Sequence, residues 1–357
     1  MLQTLPSSAE AYSRTHRRAI ATTTSEAARL WSRMTPDLDT SWARIEPLLM
    51  TLVGAAQRRA ARDALDYVPA VLEDTGQLDA LGAAVTVNPA PLYGVAGDGR
   101  PADSLLYGAV THTKAQIGTG LAVDEALASG RRWLGMATTT LLADTSRAAE
   151  SLAMGVRPVR GYVRMVVPPA CSRCVVLAGK WFSRSTGFLR HPRCKCVHIP
   201  ASEALAGDLT VDSDAYVESL SSAEQDRLLG AASAKAWREG ADLNQLVNAR
   251  RGMRPAQIGG RQILITSEGT TRRGWAYDSL AARGSRTERA GTAIRITREG
   301  REVRSVTRTV ARRPRLMPET IAAVADDRAD YLRLLERNGY ITNPYRAASI
   351  RAASGTP

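Results

Sequence analysis

The sequence predicts an α+β protein with a mainly helical N-terminal region, a small α+β module clasped by cysteine and histidine, and a basic C-terminal region of mixed character. Three observations predict this. Apolar residues recur at helical spacing through most of the first 155 residues. The period then changes to alternation at residues 161–167, just ahead of a segment that holds all four cysteines. Finally, nearly all of the formal charge of +13 falls in one arginine-rich stretch. The boundaries that follow are 1–155 (helical), 156–200 (Cys/His module), 201–249 (helical connector), 250–316 (Arg-rich) and 317–357 (last helix and tail).

Residues 7–76 read as helix, broken at Pro36, with Ile45, Leu48, Leu49, Leu52 and Ala56 at turn spacing. Asn88-Pro89, Pro91 and Gly97-Asp98-Gly99 mark residues 86–101 as a loop or short hairpin. Helix resumes at Asp103 and runs to about Met154, with interruptions expected at residues 118–120 and at Gly130. Leu134, Ala137, Leu141, Ala148 and Leu152 form one face of it, and Gly155 is a natural stop. In the strand that follows, Val163, Met165 and Val167 point one way and Tyr162, Arg164 and Val166 the other. Beyond Pro200, Ser221 and Glu224 form a capping-box pattern ahead of Leu228 and Leu229. Short strands are expected at 263–265 and 293–296. A last helix is expected from Pro318 to a stop at Asn338-Gly339.

Composition removes several classes. The first thirty residues carry His16, Arg17 and Arg18 but no apolar core of a secretory signal, and no apolar run is long enough to span a membrane. Four cysteines in 357 residues do not make a disulfide scaffold. The expectation is a soluble protein made in a reducing compartment, with no membrane partner.

The most specific constellation is Cys171-Ser172-Arg173-Cys174 followed by His191-Pro192-Arg193-Cys194-Lys195-Cys196-Val197-His198. Thiolates and neutral imidazoles are the ligands Zn²⁺ prefers, and two short pairs joined by a loop can complete a tetrahedron. Cys171, Cys174, His191, Cys194 and Cys196 are the candidate ligands. His198 is an alternate, since residues 194, 196 and 198 share one face of a strand. The spacing is not that of a standard zinc finger or ribbon. Three readings compete: a structural zinc site, a packed cluster of reduced thiols, and a redox or disulfide pair. A catalytic zinc is disfavoured because no Asp or Glu lies between Cys171 and Pro200.

This pattern, a C-x-x-C, then Leu177-Ala178-Gly179-Lys180-Trp181-Phe182, then His191-Pro192-x-Cys194-x-Cys196, resembles the Mu F-like domain of phage minor head (head morphogenesis) proteins. The resemblance covers roughly residues 138–200. One departure is Ala178, where family members often carry an acid before the Gly-Lys turn. The resemblance implies a minor capsid protein of a tailed phage, of the actinobacterial type. Such a protein is portal-associated, located in the virion after synthesis in the host cytoplasm, and acts in head assembly and DNA packaging or ejection without being an enzyme. Some members are labelled maturation proteases, but the chain contains neither H-E-x-x-H nor G-x-S-x-G.

Residues 250–315 carry seventeen arginines against five acids, a balance of +12. Arginine at this density suits sequence-independent contact with duplex DNA, or an acidic surface on the portal or another head protein. Only Trp275 and Tyr277 interleave, so a stacking platform for single strands is not expected. Arg272, Arg273, Arg312 and Arg313, which pair locally, are the best single candidates for the contact. Alternative functions are a maturation protease or nucleic-acid-processing enzyme using the Cys/His cluster, and a DNA-binding protein outside the virion.

Overall fold

The computed structural model describes residues 5–77, 87–166, 170–184, 194, 196–201, 209, 211–258, 260–269, 293–296, 302–305 and 314–342. They form a mainly helical α+β fold with two three-stranded antiparallel sheets and one two-stranded ladder among the described residues. None of the described helices is long and apolar enough to cross a membrane. The chain divides into two units, residues 1–170 with 177–211, and residues 171–176 with 212–357.

The first unit is built on four helices: α1 (Ser7–Trp31), α2 (Leu38–Asp74), α3 (Ala102–Gly118) and α4 (Val123–Gly155). The break expected at Pro36 is present, and Asp37 restarts the helix by accepting a hydrogen bond from the Thr40 amide. Helix α2 continues through Pro47 and Pro69, although each removes one backbone hydrogen bond. Burial on either side of them, by Ile45, Leu49 and Val53 and by Val68, Val71 and Leu72, keeps it whole. Trp31, Trp42, Leu49, Leu106, Val110, Leu134 and Leu141 fill the core among the four helices. The loop expected near residue 90 contains a single 3₁₀ turn, Ala90–Leu92, and one bridge between Val95 and Pro101.

Two expectations for α4 need correction. Gly130 does not interrupt the helix. A Cβ there would lie 2.0 Å from Thr113 Oγ1 and 2.6 Å from the Trp31 ring, so glycine is what lets α3 and α1 approach. The buried stripe also does not run straight to Leu152, which is 40% exposed. The stripe turns because the C-terminal part of α4 buries Ala149, Ala153 and Met154 in a second core, with Tyr12, Val68 and Val71.

That second core includes a sheet of β1 (Gly161–Met165), β2 (Trp181–Ser183) and β3 (Val197–Ala201), in the order β2-β1-β3. Strand β1 is central, pairing Val163 with Trp181 on one side and Arg164 with His198 on the other. The expected alternation holds, but both faces of β1 are buried, so Arg164 is interior and 1% exposed. Cys194 and Cys196 lie just ahead of β3 and outside it, although the sequence leads one to expect residues 194, 196 and 198 to share a strand.

In the second unit, α5 (Ser172–Val175) is followed by α6 (Ser213–Glu218), α7 (Ser222–Leu229), α8 (Ala231–Arg238) and α9 (Leu243–Ala249). The Ser221–Glu224 capping box is formed, and Gly230 separates α7 from α8 at a φ of 85°. A sheet of β4 (Arg254–Ile258), β5 (Arg261–Thr266) and β8 (Arg315–Leu316) follows, and β6 (Ala293–Ile296) pairs with β7 (Glu302–Ser305). The strands expected at 263–265 and 293–296 are therefore present. The expected single last helix is two, α10 (Pro318–Val324) and α11 (Arg328–Arg337). Asp327 restarts the chain as an N-cap, accepting from the Asp330 amide, and Gly339 ends it at a φ of 69°.

Candidate metal centre

Three charged residues one helical turn apart, Asp144, Arg147 and Glu150, project from α4. Arg147 Nη1 donates to Asp144 Oδ1 at 2.9 Å. Its other nitrogens reach two main-chain carbonyls, Nε to Cys196 at 2.7 Å and Nη2 to Cys194 at 2.5 Å. One guanidinium thus holds both carbonyls, so Arg147 fixes the main chain at Cys194 and at Cys196.

Glu150 performs the same service one turn on. Its Oε2 accepts from the His198 amide at 3.1 Å and lies 3.0 Å from His198 Nδ1, while Oε1 accepts from the Tyr12 hydroxyl at 2.8 Å. Burial alone would push this carboxyl up, but the hydrogen bonds and charge at His198, with the bond from Tyr12, hold it below its ordinary value. Tyr67 donates to the His198 carbonyl at 2.8 Å and stacks on Tyr12 with ring centroids 4.1 Å apart. Burial and the nearby Glu150 push both phenols well up, so they stay neutral donors. His16, hydrogen-bonded to Ser146 at 3.1 Å, is pushed down to about 4 by burial.

Cys174, Cys194 and Cys196 are buried, and their sulfurs all lie within 4.8 Å of one another. That is close enough for one metal ion to take all three. Cys171 is exposed and outside this group, but its Sγ is 3.5 Å from that of Cys174. Two thiolates on one tetrahedral zinc stand about 3.8 Å apart, given Zn–S bonds of about 2.3 Å, so the C-x-x-C turn already has the spacing of a shared ion. None of the four cysteines is in a disulfide. The donor set is soft, as zinc and other thiophilic metals require.

His198, the alternate ligand, is not in the group: Glu150 holds its Nδ1. His191 lies outside the described residues, as do Arg272, Arg273, Arg312 and Arg313. Two arginines at the ends of the basic segment are engaged inside the second unit. Arg250 bonds Glu319 at 2.6 Å and Ser233 at 2.9 Å. Arg315 is 1% exposed, donates to Gln245 Oε1 at 3.2 Å, and lies over the Tyr340 ring at 4.4 Å. The charge count therefore overstates the arginine available to phosphate.

Sequence reasoning missed Arg147 and Glu150. The acid absent between Cys171 and Pro200 is supplied from α4, and the only signal was three charges at one-turn spacing on a helix otherwise read for its apolar face.

Comparison with known proteins leaves the site to its geometry. No family model matches the chain, and neither a search of curated proteins nor one of solved structures finds a match.

Proposed function

We propose that this chain is a structural protein of a tailed-phage head, a portal-associated minor capsid component of Mu F-like type that works by contact and not by turnover. The observation that carries the reading is the buried trio Cys174, Cys194 and Cys196 in the C-x-x-C and H-P-x-C-x-C frame that prompted the resemblance. In this reading the cysteines hold one structural zinc, with Cys171 or His191 completing the set. The ion supplies cross-linking to a segment short of regular structure, since β2 has three residues and β3 five. Glu150 and Arg147 serve that purpose as well, fixing the cysteine-bearing chain from the helix below it.

The basic segment completes the reading with contacts to duplex DNA or to an acidic head protein, through arginines other than Arg250 and Arg315. Such contact has a steep salt dependence and no sequence preference. Peptide mass spectrometry on purified particles made by the genome that encodes this chain tests the proposal. Peptides of the chain at a few copies per portal ring are expected. Their absence where portal peptides are plentiful contradicts it.

A further inference from the structure

Arg164 is a charged side chain in the middle of the central strand of a sheet buried on both faces. Its backbone is fixed on both sides. The amide donates to the Lys180 carbonyl at 3.0 Å, its carbonyl accepts from the Gly179 amide at 3.0 Å, and His198 is its partner in β3. That register delivers the guanidinium to the cysteines: Nη2 lies 3.6 Å from Cys194 Sγ, within reach of an N–H···S hydrogen bond. Arg147, the other buried guanidinium nearby, faces the carbonyls of the same run and carries Asp144 as its counter-ion.

Three thiolates on a divalent cation leave one negative charge, and a fourth leaves two. In a buried site that charge is expensive unless a cation or hydrogen-bond donors face it. We propose that Arg164 is the charge-compensating and hydrogen-bonding partner of the metal–thiolate centre, acting on the Cys194 sulfur. This rests on the metal site proposed above. It assigns Arg164 a positioning role, in which it raises metal affinity and makes the Cys194 thiolate less nucleophilic while bound. The Gly-Lys turn then has a function of its own, since Gly179 and Lys180 hold Arg164 in register.

The test uses the full chain loaded with zinc alone, comparing wild type with Arg164→Met, Arg164→Gln and Arg164→Lys. Outer partners of metal ligands are typically worth about 10–100-fold in affinity. Competition with a chromophoric chelator is expected to show a loss of about that size in Arg164→Met, less in Arg164→Gln and least in Arg164→Lys. Zinc release on alkylation with iodoacetamide is expected to quicken in the same order, a readout that a purely structural arginine would not move. Affinity and release rate unchanged in a folded Arg164→Met variant overturn the inference while leaving the metal site standing. A wild-type chain that takes up no zinc overturns the site itself. Should every variant fail to fold, ¹¹³Cd-loaded wild type decides by NMR. A coupling between cadmium and an Arg164 Nη–H across the sulfur supports the inference, and its absence overturns it.

Discussion

Acidification should loosen the helical unit through His16, and the size of the effect follows from its surroundings. The ring is buried on α1, stacked at 5.8 Å on Tyr12 and bonded to Ser146 of α4. The charged groups facing it are Glu150 and Arg147. Burial, with help from Arg147 and against Glu150, lowers its pKa from 6.5 to about 4. The folded state therefore binds fewer protons than the unfolded chain between those two values. Stability from this group is fully present above about pH 6.5 and falls as the pH drops towards 4. The whole shift corresponds to about 3 kcal/mol, of which about 2 kcal/mol is gone by about pH 5. Glu150 acts with the same sign but lower down, since a depressed carboxyl loses its contribution only as the pH falls below the ordinary carboxylate range. Urea unfolding followed by helical circular dichroism, at about pH 7.5 and about pH 5, measures the difference for wild type and for His16→Gln. Wild type should lose about 2 kcal/mol more than the variant across that interval. Equal losses in the two proteins would refute the reasoning, because the variant keeps every titrating group except this one.

Two other substitutions test the packing. Gly130→Ala gains helix propensity but drives a methyl into Thr113 and Trp31, so it should destabilise the first unit by about 1–3 kcal/mol in the same urea assay. Arg315→Met removes the guanidinium that ties β8 to Gln245 and to the end of α11. It should unfold the second unit earlier by a few kcal/mol, of order 3; on the proposed reading of the basic segment, fluorescence anisotropy on a duplex should show the same salt dependence as wild type.

Much of this architecture was legible because local chemistry and tertiary structure agree. The Pro36 break, the Ser221–Glu224 box, Pro318 at a helix start and the alternation of 161–165 each rest on rules of one or two turns. Most of the departures come from partners distant in sequence. Gly130 reads as a breaker until Trp31 and Thr113 are placed against it. The roles of Arg164 and Glu150 were not legible, since nothing in their own segments reveals Cys194 or His198 beside them. The split of the last helix was readable in principle, from Asp327 three residues before Asp330, but continuous helical composition on either side concealed it. The cysteine pattern picked out side chains that the fold brings together: Cys174, Cys194 and Cys196 lie close enough for one metal ion and Cys171 stands beside Cys174, while His191 lies outside the described residues.

Native mass spectrometry of the intact chain, purified without chelator, tests the central claim most directly. The account predicts one zinc ion per chain in wild type and none in Cys196→Ser. A wild-type chain carrying no metal, with all four thiols open to alkylation under native conditions, would contradict it.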